Sequence, residues 1–155
     1  MKNHYRQGLL TLLPTLVLLS VGLPATAQDR VDKLSNSNFS KTVERVETAI
    51  KKRGAMIVAT IDHQNMLRMV GASIRGSKTI EFGKPDMMKM LLADNPEIGV
   101  EMPLKIYVYE RGDGRTVLSY RRPSTAFASY GKEMLTNAGQ MMDMMLEEIA
   151  TEAAK

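Results

Sequence analysis

The sequence predicts an α+β domain in which a mainly antiparallel sheet carries its helices on one face. Three observations lead there. Residues 104–121 read as a β-hairpin. Other strand-like segments are separated by helical patterns whose apolar residues recur every three or four positions. The 155 residues, 44% apolar and 25% charged, suffice for one core of ordinary size.

Each element has its own local signal. Residues 28–38 are polar, with Ser35-Asn36-Ser37-Asn38, and read as a linker. Ser40 is the expected N-cap of a first helix. Val43, Val46, Ala49 and Ile50 share one face of it, and Gly54 stops it behind Lys51, Lys52 and Arg53. Residues 55–61 are apolar on both faces, the pattern of a central strand. Asp62 begins a short helix with Met66, Leu67 and Val70 expected inward. Residues 78–82 alternate as a strand, Gly83-Lys84-Pro85 turns the chain, and 86–93 form a helix stopped by Asn95-Pro96.

The hairpin strands are 104–110 and 115–121, around the loop Arg111-Gly112-Asp113-Gly114. If Glu110 pairs with Arg115, then Lys105 faces Tyr120, Tyr107 faces Leu118 and Tyr109 faces Thr116, all on one side of the sheet. Ile106, Val108 and Val117 then line the other side. Pro123 ends the second strand, and a helix is expected from about 131 to 150.

Residues 1–27 read as a secretory signal peptide. Lys2 and Arg6 precede an apolar run from Leu9 to Leu23, and Ala25-Thr26-Ala27 fits a small-x-small cleavage site. The run is shorter than the roughly 20 residues of a spanning helix and contains Pro14, so no membrane anchor is expected after cleavage. The expected location is periplasmic or secreted. Cleavage removes two cations and no acid, lowering the formal charge from +4 to +2. With only short basic runs left, no nucleic-acid partner is expected. The absence of cysteine excludes a disulfide framework, a thiolate metal site and a cysteine nucleophile.

The runs Ile61-Asp62-His63, Phe82-Gly83-Lys84-Pro85, Met102-Pro103-Leu104-Lys105 and Ser119-Tyr120 with Pro123, in this order and spacing, resemble the domain of unknown function 302 family. Thr42-Val43-Glu44-Arg45 and Arg53-Gly54 fit it too, so the resemblance covers roughly 38–130. It implies a curved sheet in the TATA-box-binding-protein-like group and a homodimer, with no general enzymatic activity. Gly83 and Leu104 stand where one branch carries cysteines, which places this chain with the cysteine-free branch. That branch has Asn before Pro85. Here Lys84 stands there, and no asparagine contact carries over. The expected organisation is a signal peptide at 1–27, a linker at 28–38, the family domain at 39–130 and a methionine-rich helix at 131–155.

Three readings of function follow. In the leading one, the chain is an exported binding or interaction domain. His63, Lys105, Tyr107 and Tyr120 are its candidate ligand residues, suited to a small anionic or aromatic molecule or to a dimer interface. His63 is the sole histidine after residue 27 and sits in a helix's first turn, which disfavours the imidazolium. The plainer alternative is that Asp62 caps that helix and His63 merely packs. The second reading is a periplasmic Cu(I) carrier, because thioethers are soft ligands. Its candidates are Met141, Met144 and Met145, yet Met134, Met141, Met142 and Met145 also fall on one apolar helical stripe, which suits packing. The third is an enzyme with His63 as base and Lys105 on an anion, although no nucleophile-and-base motif or phosphate loop is visible. No cofactor is implied by any of these patterns.

Overall fold

The computed structural model describes residues 29–155. The expected signal peptide lies outside the described residues. Five strands form one antiparallel sheet: β1 (Arg30–Leu34), β2 (Met56–Asp62), β3 (Ser77–Gly83), β4 (Leu104–Glu110) and β5 (Thr116–Arg121), in the order β1-β5-β4-β3-β2. The helices are α1 (Phe39–Lys52), α2 (His63–Met69), α3 (Pro85–Asp94), α4 (Pro123–Ala128) and α5 (Glu133–Ala153), with a 3-10 turn at Pro96–Glu101. The α+β class with helices on the sheet is as the sequence predicts.

One face of the sheet makes the core. Ile80, Phe82, Ile106, Val108 and Leu118 are fully buried there. They lie in one cluster with Val46 and Ile50 of α1 and Leu135, Leu146 and Ile149 of α5. Burial of each large aliphatic side chain is worth about 1.5–3 kcal/mol. Lys33 on β1 is drawn to α5 by Glu147.

Several sequence expectations are corrected. The segment read as a linker contains β1, an edge strand whose Arg30, Asp32 and Lys33 disguise it as polar chain. Asn38, not Ser40, caps α1, its Oδ1 accepting from the Lys41 amide at 3.0 Å. The strand expected at the centre, β2, is the opposite edge. It carries no charge before Asp62, and Met56 and Val58 are exposed, with the register shifted at Val58. Met66, Leu67 and Val70 do not face inward: α2 buries no residue, and Val70 is 77% exposed.

On α5 the buried stripe is Leu135, Ala138, Met142, Leu146, Ile149 and Ala153, so Met134 and Met141 lie outside it. The sequence pattern does not announce the Pro123–Ala128 helix, whose one local signal is Pro123 in its first turn. No side chain of its own caps α4. Asp143 of α5 does so instead, accepting from the Ser124 amide at 3.1 Å and from the Ser124 hydroxyl. The two helices approach at Gly139, where a Cβ would stand 2.7 Å from Ser124 Cα.

Candidate functional site

The hairpin closes one residue differently from the expected register. Arg111 N–H donates to the Arg115 carbonyl at 2.8 Å, and Gly114 has φ +81°, so three residues form the loop. Glu110 therefore pairs with Thr116, Tyr109 with Val117 and Tyr107 with Ser119. A shift of one residue exchanges the faces of a strand. Tyr120 accordingly leaves the side of Lys105 and Tyr107 and is 5% exposed on the helix side.

Tyr107–Ser119 is also the last β4–β5 pair. Beyond it, β4 stays with β3 as far as Leu104–Phe82, and β5 stays with β1 as far as Arg121–Arg30. The two central strands part, and a cleft of about 750 Å³ opens between them. Because it passes between strands, it is lined from both faces of the sheet. Thr79, Lys105, Tyr107, Tyr109 and Ser119 line it from the open face, and Tyr120, Leu104, Phe127 and Leu146 from the helix side. Val100, Glu101, Pro103 and Ala126 form its flank.

The tyrosine wall is held in place. Tyr107 and Tyr109 stack with centroids 5.1 Å apart and planes 14° from parallel. Tyr107 Oη shares a 2.7 Å hydrogen bond with Ser77 Oγ. The His63 ring meets Tyr107 edge-on at 5.8 Å, and its Nε2 lies 2.8 Å from Thr79 Oγ1. His63 is thus a support of Tyr107 and Thr79, and is not among the residues lining the cleft. Asp62 caps α2 through the Asn65 amide at 2.9 Å, fixing the turn that carries His63. That amide bond first, and Lys78 second, hold the Asp62 carboxyl below its ordinary range.

The charges around the cleft are unequal in their pairing. Arg30 is paired with Asp32 and Arg121 with Asp29. Lys105 and Arg122 enter no ion pair among the described residues. Glu101 accepts a 3.4 Å hydrogen bond from Tyr130. Beneath, Tyr120 Oη donates to Glu147 Oε2 at 2.6 Å. Burial pushes the phenol up, and the adjacent carboxylate adds to the effect.

Of the residues singled out in the sequence, Lys105, Tyr107 and Tyr120 meet at one cleft, with His63 one layer behind. The α4 and 3-10 residues were missed, since no sequence period announces a helix of 6 residues.

A model of the family described as "Domain of unknown function DUF302" matches residues 31–150. The chain belongs to the DUF302 family. This DUF302 chain is 18% identical to the crystal structure of an uncharacterized conserved protein DUF302 from Bacillus stearothermophilus. The match covers 83% of this chain and all of that one, with a TM-score of 0.76, and shows the common fold. Two curated relatives are the fluoride-specific ion channels FluC 1 of Brucella suis biovar 1 and FluC 2 of Brucella melitensis biotype 1. Each is 27% identical over 90 residues, which is 58% of this chain and 35% or 33% of the relative. The chain thus spans about a third of the length of these relatives, and among the described residues no helix is long and apolar enough to cross a membrane.

The methionines of the DUF302 domain divide into two environments. Met141 and Met144 are exposed on α5 while Met145 packs against the core. A separate, small cavity of about 10 Å³ is lined in part by Met87, Met88, Met102, Met142 and Met145. That space is the size of a single water molecule. Among the described residues no cluster of three or more His, Asp or Glu side chains has the arrangement of a metal site.

Proposed function

We propose that this DUF302 chain is an exported, dimeric domain that binds a small anionic or aromatic molecule in the cleft between β4 and β5. The observation that carries the reading is the end of the β4–β5 ladder at Tyr107–Ser119, which opens a cavity of about 750 Å³ under two stacked tyrosines. Ligand pockets commonly measure about 300–1,000 Å³ and combine apolar walls with a few converging polar groups. Lys105, Tyr107 and Tyr120 contribute to both kinds of lining.

Dimerisation is supported by the contrast between the sheet edges. β1 carries three charges in five residues, whereas β2 has none before Asp62 and exposes Met56 and Val58. A long uncharged edge invites a further strand, and a second copy brings an identical antiparallel edge. Export rests on the pattern of residues 1–27. The channel activity of the Brucella relatives is not carried over, because the match covers a third of those chains.

The test is a small-molecule screen by amide-shift NMR on the purified protein. Hits that perturb Tyr107, Ser119 and Ala126 together support the reading. Hits confined to other surfaces overturn it.

A further inference from the structure

The cleft has a polarity as well as a volume. Four cations line it: Arg30, Lys105 and Arg121 from the open face, and Arg122 just beyond the end of β5. Asp32 and Asp29 neutralise Arg30 and Arg121, and Glu101 on the flank is hydrogen-bonded by Tyr130. Lys105 and Arg122 enter no ion pair among the described residues, although Glu81 stands opposite Lys105 in the β3–β4 register, and both cations are exposed. The opposite side is apolar: Val100 is 80% exposed at the flank beside Pro103 and Ala126, with buried Leu104, Phe127 and Leu146 behind.

We propose that the ligand is an amphipathic anion. Its acidic head lies at Lys105 and Arg122, and its apolar body runs along the tyrosine wall to Val100 and Ala126. This rests on the cleft being a ligand site, as proposed above, and adds the chemical class. A neutral aromatic would make no use of the two cations. A bare inorganic anion would leave the exposed Val100 and the aromatic wall uncovered. One charge-assisted contact to the head corresponds to roughly tenfold in affinity.

Decanoate is a suitable probe, compared with decanol, decyltrimethylammonium and acetate at matched concentrations. The expected result is saturable binding of decanoate, by calorimetry and by amide shifts at Lys105, Tyr107, Ser119 and Ala126. Decanol and acetate should bind about tenfold more weakly. The double variant Lys105→Gln, Arg122→Gln should lose about tenfold for decanoate and keep its affinity for decanol. Ala126→Trp should weaken both. If decanol or decyltrimethylammonium shifts the same residues as strongly as decanoate, the anionic class is wrong while the cleft stands as a site. If no probe of any charge perturbs the cleft, both the class and the ligand site fall.

Discussion

Tyr120 reaches Glu147 across 2.6 Å, tying the floor of the cleft to the longest helix. Lys33 on the edge strand holds the other Glu147 oxygen. The three residues link β1, β5 and α5, and they do so at the point where β5 has left β4.

Removing the phenol hydroxyl breaks one hydrogen bond in this link. Tyr120→Phe is expected to lower stability by about 1–2 kcal/mol in urea melts, without loss of the fold. Lys33 first, and Tyr120 second, hold the Glu147 carboxyl below its ordinary value. Such a group stabilises the fold above its unfolded pKa of about 4.3, and the contribution fades as pH falls through the folded value. Melts between about pH 6 and 3 should show this loss, and Glu147→Gln should flatten it. An unchanged pH slope in that variant would refute the link.

Gly139 is a point of close approach between α4 and α5. Gly139→Ala places a methyl group 2.7 Å from backbone that cannot swing aside, and overpacking of this kind costs about 1–3 kcal/mol. Because α4 carries Ala126 and Phe127, the same variant should weaken ligand binding in the cleft. A stable variant with normal binding would mean that α4 can move freely.

The uncharged β2 edge predicts assembly. Val58→Lys adds a charge to an exposed residue on that strand and should convert a dimer to a monomer, with little change in melting temperature of the protomer. Light scattering after gel filtration is the measurement. A protein that is monomeric without the substitution would remove the basis for a dimer.

His63 supports the site from outside it. His63→Ala loses the Thr79 hydrogen bond and the edge contact with Tyr107, which should cost about 1–2 kcal/mol of stability. Decanoate affinity should change less than threefold. A loss of tenfold or more would make His63 a direct ligand residue.

Much of this arrangement was legible beforehand, and the failures have physical causes. Residues 104–110 are a strand as expected, because Ile106 and Val108 alternate cleanly with polar neighbours. The register failed because Val117-Leu118-Ser119-Tyr120 does not alternate, so only the loop could set it, and Gly114 in the left-handed region shortened that loop. β2 looked central because it is apolar on both faces; its outer residues instead remain in solvent. Lys105, Tyr107 and Tyr120 do meet at one cleft. They meet because the strands part, an event with no signature in a linear pattern of side chains.

That parting has a chemical consequence. Antiparallel strands bond through alternate residues, and Arg111 with Arg115 fixes which ones face across this pair. By that alternation, the next residues to bond beyond Tyr107 and Ser119 would be Lys105 and Arg121, which no longer pair. Their peptide N–H and C=O groups point into the gap and need a partner from water or from whatever enters. In the proposed binding mode the main chain therefore supplies part of the recognition, and substitution of the cationic side chains retunes the cleft without erasing its polarity.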